Sequence, residues 1–144
     1  MVRTSGVYAQ LFYHFVWTTK NREPIIDAEC ETALNDIIRS KAVELNLDIV
    51  EVGGTEDHIH VLLQANQTIS PSTIAKHLKG VSSHFINHRL YVDTSSKSFY
   101  WQDGYGVVSV SPRAVSTVAR YVRNQKEHHR TNDLDSDLEH TEDL

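Results

Sequence analysis

The segment from Tyr8 to Thr19 restricts the fold more than any other part of the chain, because it carries large apolar or aromatic side chains at both alternating sets of positions. Aromatic and β-branched residues favour strands over helices. Successive side chains of a strand point to opposite faces, so a strand of this composition is buried on both faces. The sequence therefore predicts a first strand that lies inside the domain.

Spacing and capping signals predict the remaining elements. Apolar residues at helical spacing follow Asp27, a residue type that caps helix N-termini, and this helix is expected to end near Asn46. Ser70-Pro71 and Ser111-Pro112 each place a cap before a proline at the first helical position. They predict two further helices, the last one reaching about His128. Strands are expected at 48–52, 58–64, 99–101 and 107–110.

The predicted order is β-α-β-β-α-β-(β)-α. Two split βαβ halves of this kind predict an α+β, ferredoxin-like fold, in which helices pack on an antiparallel sheet and a C-terminal helix carries Tyr121. A chain of 144 residues has room for about one domain, which we expect over residues 1–130. Residues 131–144 contain six acids and no lysine or arginine. They predict a solvated, disordered acidic tail.

Charge is distributed unevenly along the chain. The net charge is −5, but the tail holds six of the 19 acids, so the rest of the chain, with 14 lysines and arginines, is weakly positive. Residues 70–130 contain nine lysines or arginines against three acids. This half of the chain is therefore predicted to contact phosphates.

Other features exclude some classes of protein. No apolar run approaches the roughly 18 residues that span a bilayer, and the first residues do not resemble a signal peptide, so we expect a cytoplasmic protein without membrane contact. Cys30 is the single cysteine. It forms neither an internal disulfide nor a cysteine-based zinc cluster.

The sequence His58-Ile59-His60 lies on a predicted strand. The period of two aims both imidazoles to one side, about 7 Å apart at Cα, close enough to hold one cation. The pair alone is weak evidence, because nine histidines in 144 residues give such pairs by chance. The alternative is two half-buried histidines that hydrogen-bond to the backbone.

Tyr121 and Gln125 are four residues apart on the last predicted helix and so share one face. Taken separately, they can be an aromatic residue at the edge of the core and a solvated amide. Taken together with His58 and His60, they describe a phosphodiester cleavage site. A divalent ion held by the histidines and the amide oxygen would polarise the phosphate while the phenol attacks. Histidine ligands make Mn²⁺ at least as suitable as Mg²⁺.

Five segments in order carry a family resemblance: His14–Arg22, Asp57–Leu63, Leu78–Ser83, Trp101–Ser111 and Tyr121–His129. They resemble segments of the single-tyrosine HUH endonucleases, which are the transposases of small insertion sequences and their REP-associated relatives. The resemblance runs from about Tyr13 to Arg130. Many members continue beyond the paired histidines with an amphipathic segment, where this chain has its acidic tail.

The resemblance implies a role for each site residue. Tyr121 is expected to be the nucleophile, His58 and His60 metal ligands, and Gln125 the third ligand of Mg²⁺ or Mn²⁺. The implied substrate is single-stranded DNA that contains a hairpin, and the implied products are a 5′-phosphotyrosine and a free 3′-OH. Insertion-sequence members are commonly dimers in which the tyrosine helix can serve the partner's metal site, so a homodimer is expected, although some REP-associated relatives act as monomers.

Basic and aromatic residues in the second half are candidates for DNA contact. Their alternatives are a solvated helix face for the basic residues and the core for Trp101. The phosphate-binding candidates are Lys76, Lys79, Arg120 and Arg123, with Arg89, Arg113 and Lys126 behind them. The candidates for stacking on unpaired bases are Tyr100, Trp101 and Tyr105.

Two other functions stay open at this point. One is a protein that binds nucleic-acid hairpins on the same fold without catalysis. The other is a small metal hydrolase that uses His58 and His60 with an activated water and does not need Tyr121. A covalent link between protein and DNA would distinguish a transposase from both of these alternatives, since neither of them forms such a link.

Overall fold

A four-stranded antiparallel sheet forms the centre of the protein in a computed structural model that describes residues 6–91 and 98–141. Its strands are β1 (Leu11–Thr18), β2 (Asp48–Gly54), β3 (His58–Ala65) and β4 (Gly106–Val110), in the spatial order β2-β3-β1-β4. The pairs β1–β3, β1–β4 and β2–β3 are all antiparallel. Each βαβ unit therefore has its two strands separated by a strand of the other unit, which confirms the predicted ferredoxin-like fold.

The first two helices begin at their predicted caps, whereas the predicted cap Ser111 opens a 3-10 turn over Pro112–Ala114 that precedes the next α-helix. The first two are α1 (Ala28–Glu44) and α2 (Pro71–Phe85), which continues as a π-helical turn over Ile86–Leu90. The carboxylate of Asp27 accepts a hydrogen bond from the backbone N–H of Cys30. The hydroxyl of Ser70 accepts a hydrogen bond from the backbone N–H of Thr73. The C-terminal helices are α3 (Val115–Arg123), α4 (Gln125–Arg130) and α5 (Ser136–Glu139).

The sheet is covered on both faces. On one face, α1 and α2 pack over Phe15, Trp17 and Val61 in the larger hydrophobic cluster. On the other face, α3 packs through Val122 against Leu62 in a smaller one. This confirms that β1 is buried on both faces. The histidines of β3 share the side of Leu62, so they lie beneath the C-terminal helices rather than in the main core.

Three predicted features differ in the structure. The strand expected at 99–101 is reduced to one bridge between Thr19 and Trp101, and the Trp101 indole lies in the core and donates a hydrogen bond to Ser82. The last helix, expected to be continuous, is interrupted at Asn124, which has φ −102° and ψ 29°. Asparagine interrupts helices readily because its side chain competes for backbone hydrogen bonds.

The third difference concerns the acidic segment after Arg130. In its described part, residues 131–141, the chain folds back onto the sheet and forms α5, with Leu138 only 7% exposed. Burial of this one leucine and the contacts of Glu139 explain why the segment is held. Among the described residues, no helix is long and apolar enough to cross a membrane.

Candidate active site

His58 and His60 lie side by side on β3, in the central region of the sheet. Their ring centroids are 5.0 Å apart, and both side chains are buried. The two rings point to the same face, as the period of a strand predicts. The structure therefore confirms the shared orientation expected from the sequence.

Nδ1 of each ring, the nitrogen that points away from the site, lies within hydrogen-bond distance of a neighbouring side chain. Nδ1 of His58 lies 2.8 Å from a carboxylate oxygen of Asp57 and 2.9 Å from the hydroxyl of Thr55. Nδ1 of His60 lies 2.8 Å from Nε2 of His14. A histidine whose Nδ1 carries the proton presents its Nε2 lone pair to a metal, and partners of this kind fix that tautomer. Both Nε2 atoms face the space beneath α3 and α4.

Burial keeps the imidazoles of His14 and His60 neutral. Burial, reinforced by the neighbouring His60, lowers the pKa of His14 to about 3. The pKa of His60 is also lowered, chiefly by burial, although Glu139 opposes that shift. Neutral imidazole is the form that binds metals.

Gln125 and Tyr121 meet the histidine pair from the C-terminal helices. The amide oxygen of Gln125 lies 3.0 Å from Nε2 of His58, and the side chain is 1% exposed. The ring of Tyr121 has its centroid 6.1 Å from that of His60 and stacks on His128 at 4.5 Å. The break at Asn124 thus leaves both residues directed toward the histidines.

A glycine allows α3 to reach this position. A Cβ atom at Gly53 of β2 would lie 2.1 Å from the backbone oxygen of Val122. No other residue type fits between the strand and the helix without moving one of them. Gly53 therefore sets the depth at which the tyrosine helix sits on the sheet.

The structure adds two possible metal ligands that the sequence analysis did not select. His129 of α4 and Glu139 of α5 complete a cluster with His58 and His60, whose potential ligand atoms all lie within 4.8 Å of one another. One oxygen of Glu139 is 3.5 Å from Nε2 of His58 and 3.3 Å from Nε2 of His129. The other is 3.4 Å from Nε2 of His60.

Glu139 also holds the candidate nucleophile. The phenol of Tyr121 donates a short hydrogen bond to Glu139, and the amide of Gln125 donates one of 3.2 Å to the same oxygen. Burial and the bond to Glu139 raise the pKa of Tyr121 to about 12. Burial opposes ionisation of Glu139, but its contacts with His60 and Tyr121 outweigh this and keep the pKa of its carboxyl well below the usual range.

The donor atoms fit a divalent metal ion. Among the described residues, Nε2 of His60 and Nε2 of His129 are buried and make no hydrogen bond of normal geometry, although oxygens of Glu139 lie 3.4 and 3.3 Å away. Unpaired buried acceptors are rare and costly, and metal coordination is one way to satisfy them. Imidazole nitrogens together with amide and carboxylate oxygens suit Mn²⁺ and related ions, and Mg²⁺ through the oxygens. His58, His60, His129 and Glu139 are the residues that could supply ligands to an ion, and the amide oxygen of Gln125 lies beside Nε2 of His58.

The basic candidates fall into different surroundings. Lys79 donates hydrogen bonds to the backbone oxygens of residues 102, 103 and 104 at 2.7, 3.2 and 2.9 Å. Arg123 pairs with Glu51 at 3.0 Å. Lys76 and Arg120 are exposed, and Arg120 directly precedes the tyrosine. Of the aromatic candidates, Tyr100 is 59% exposed.

Sequence signals for the missed residues are weak. His14 occupies a strand position whose partner is set by the pairing of β1 with β3, which the sequence alone does not give. His129 belongs to the pair His128-His129 in the last segment of the family resemblance, yet nothing in the sequence indicates which of these two histidines faces the site. Glu139 lies in a segment whose composition is typical of solvated tails.

The fold and site together define a class: small α+β proteins with a candidate metal centre between the sheet and its C-terminal helices, and a tyrosine beside it. The chain belongs to the family of IS200-like transposases, whose match extends over residues 7–125. It therefore shares the family of the transposases that the sequence resembles.

Known relatives agree with this assignment. The chain is 27% identical over 127 residues to the ISDra2 transposase TnpA of Deinococcus radiodurans, covering 87% of this chain and 91% of that protein. It is 30% identical over 118 residues to the transposase for insertion sequence element IS200 of Salmonella typhimurium, covering 80% and 76%.

Solved structures show the same fold. A crystal structure of a protein from Deinococcus radiodurans R1, assigned as a transposase, superimposes with a TM-score of 0.68 at 28% identity, covering 87% of this chain and 98% of that one. A REP-associated tyrosine transposase bound to a REP hairpin superimposes with a TM-score of 0.64 at 14% identity, covering 90% and 74%.

Proposed function

We propose that this protein is a tyrosine transposase that cleaves and rejoins single-stranded DNA through a 5′-phosphotyrosine intermediate, with Mg²⁺ or Mn²⁺ as cofactor. The observation that carries the proposal is the position of the Tyr121 phenol beside the buried cluster of His58, His60 and Gln125. A phenol at a site that can hold a cation is equipped for attack on a phosphodiester.

The chemistry is a transesterification. The Tyr121 oxygen forms a bond to phosphorus while the bond from phosphorus to the 3′ oxygen breaks, and the phenol proton ends, in net, on that 3′ oxygen. The phosphodiester bond energy is retained in the intermediate, so attack by a 3′-OH on the phosphotyrosine rejoins a strand without an external energy source. When bound, the metal ion would stabilise negative charge on the phosphate oxygens.

The protein's own residues supply orientation. Asp57 and Thr55 orient His58, and His14 orients His60, so that both rings present Nε2 to the site. His128 stacks on the Tyr121 ring and limits its rotation. These contacts prepare a site in which the phenol and a phosphate can approach each other.

The DNA substrate is proposed to be a hairpin with a single-stranded flank. The support is the surplus of basic residues between 70 and 130, the exposed Arg120 beside the nucleophile, and a relative of the same fold that is named as bound to a REP hairpin. A cytoplasmic location and a homodimer are part of the same proposal. A dimer would allow Tyr121 of one subunit to serve the histidines of the other.

The polarity of the products tests this function. Hairpin oligonucleotides from the DNA that flanks the gene are labelled at either end and incubated with protein and Mn²⁺. We expect a covalent species on a denaturing gel that carries only the 3′-side fragment, and a released 5′-side fragment that a polymerase can extend from its 3′-OH. His58→Ala and His60→Ala should abolish both products, and Gln125→Ala should reduce them less. Hairpin binding without any covalent species in the wild type would support a non-catalytic binding protein instead.

A further inference from the structure

Residues 131–141, called the C-terminal strap from here on, pass directly over the candidate active site. Asp135 caps α5 by accepting hydrogen bonds from the backbone of Asp137 and Leu138, and its own N–H donates to the Tyr121 phenol at 3.0 Å. Glu139, at the end of α5, enters the cluster. The strap therefore contacts both the nucleophile and the candidate metal ligands.

Glu139 occupies the centre of the site rather than its edge. Its two oxygens contact three imidazoles at 3.3 to 3.5 Å and accept hydrogen bonds from Tyr121 and Gln125. A phosphate group attacked by the phenol must place its oxygens within reach of the same phenol and the same ligands. The carboxylate and the phosphate therefore compete for one position, since each is an anion with oxygen acceptors.

The rest of the strap buries little apolar surface. Residues 131–137 are exposed, and Leu138 is the single buried apolar side chain of the strap. Beyond it, the backbone oxygen of His140 lies so close to β4 that a Cβ atom at Gly106 would be 1.9 Å from it. Burial of one leucine stabilises such a segment only modestly. A DNA strand whose phosphates contact several basic residues would supply binding energy for the displacement of such a segment.

We propose that the C-terminal strap is an autoinhibitory occupant of the active site, in which Glu139 holds the position of the scissile phosphate until single-stranded DNA displaces it. This inference rests on the proposed function, because it requires that the site binds a DNA phosphate. With the strap in place, the Tyr121 hydroxyl is hydrogen-bonded to Glu139 and is not available for attack on a DNA phosphate. The protein would then be inactive unless a DNA strand long enough to reach the site is bound.

A pair of matched variants tests the competition. Glu139→Ala removes one negative charge from the site, and Asp137→Ala removes one from an exposed position two residues earlier on the same strap. The probe is a hairpin oligonucleotide with a single-stranded extension, and the same hairpin without the extension is the reference. Affinity is measured by fluorescence anisotropy in EDTA, which prevents metal-dependent cleavage.

We expect Glu139→Ala to bind the extended hairpin about tenfold more tightly than the wild type, since a site that is open in about a tenth of the molecules weakens apparent affinity tenfold. Affinity for the hairpin without extension should not change. Asp137→Ala should change both affinities by less than about twofold, because an exposed charge is screened. An equal increase in DNA affinity in both variants would show that the strap's acids repel DNA through their charge alone, and this result would overturn the proposal.

Hydrogen exchange of the wild-type protein gives an independent readout. Amides of residues 136–140 should be protected in the free protein and lose that protection when the extended hairpin binds. Protection that persists in the complex, or that is absent from the free protein, would contradict the inference. If neither the wild type nor Glu139→Ala binds any hairpin, the proposed function itself fails, and protection of the free strap still reports separately on the docked state.

Discussion

Nε2 of His14 lies 2.8 Å from Nδ1 of His60 in a part of the sheet that solvent does not reach. If Nδ1 of His60 carries the proton and donates to His14, then Nε2 of His60 has a free lone pair directed at the site. His14 belongs to β1 and His60 to β3, so the pairing of the two central strands decides how a candidate metal ligand is oriented.

Replacing His14 tests this orientation. His14→Leu removes the acceptor for His60, and we expect the affinity for Mn²⁺ to fall at least tenfold, since outer partners of metal-bound histidines typically contribute about 10–100-fold. Free Mn²⁺ measured by electron paramagnetic resonance reports the affinity directly. His84→Ala, an exposed histidine on α2, is the control and should bind Mn²⁺ as the wild type does. An unchanged affinity in His14→Leu would mean that His60 is not oriented in this way.

The contact between β2 and α3 can be tested at Gly53. Gly53→Ala places a methyl group where the backbone of Val122 lies, so α3 must move outward and carry Tyr121 away from the histidines. We expect covalent adduct formation to fall at least a hundredfold while Mn²⁺ binding by the histidines changes less. Gly80→Ala is the matched control, because a Cβ atom there meets nothing within 4 Å. Alanine in a helix is about 0.5–1 kcal/mol more favourable than glycine, so this control should unfold at slightly higher urea concentration and cleave normally.

Variants of two lysines on α2 distinguish a residue that contacts DNA from one that supports the fold. We expect Lys76 to contact DNA and Lys79 to support the fold. Lys79 binds three backbone oxygens of the loop before β4. Lys79→Ala should therefore lower the free energy of unfolding by about 1–3 kcal/mol, as measured by urea denaturation. Lys76→Ala should leave stability unchanged and reduce the salt slope of single-strand binding by about 0.7, the value for one lost phosphate contact. A reduced slope for Lys79→Ala without loss of stability would reverse these assignments.

Cys30 gives a pH dependence that does not involve the site. Burial, together with Asp27, Glu29 and Glu31, raises the pKa of its thiol to about 12, compared with about 8.5 in an unfolded chain. Above about pH 8.5 the unfolded chain loses this proton while the native state keeps it, so the free energy of unfolding should fall as the pH rises toward 12. In Cys30→Ala the fall should be smaller over the same range, as measured by urea denaturation at each pH. Identical slopes would contradict the shift.

Much of the fold could be predicted because its signals are local. The Asp27 and Ser70 caps and the double-sided composition of β1 each act within a few residues, and the structure confirms them. His58 and His60 were predicted to share a face for the same reason. The interruption at Asn124 was missed because helical periodicity continues on either side of it.

The remaining site residues depend on long-range contacts. His14 meets His60 only through strand pairing, and Glu139 meets His60 only because Leu138 holds the strap on the sheet. Neither contact leaves a period or a cap in the sequence. Acidic composition correctly describes the exposed residues 131–137, but it does not reveal that the carboxylate of Glu139, two residues later, is partly buried and contacts three histidines.

The covalent attachment site tests the central claim most directly. Wild-type protein is incubated with Mn²⁺ and a hairpin oligonucleotide that carries a single-stranded extension, digested with protease, and analysed by mass spectrometry for a peptide linked to nucleotides. We expect the link on Tyr121, and none in Tyr121→Phe, which keeps the ring that stacks on His128 and should still bind the same DNA. A link on Tyr91, Tyr100 or Tyr105, or cleavage at the wild-type rate by Tyr121→Phe, would contradict the account.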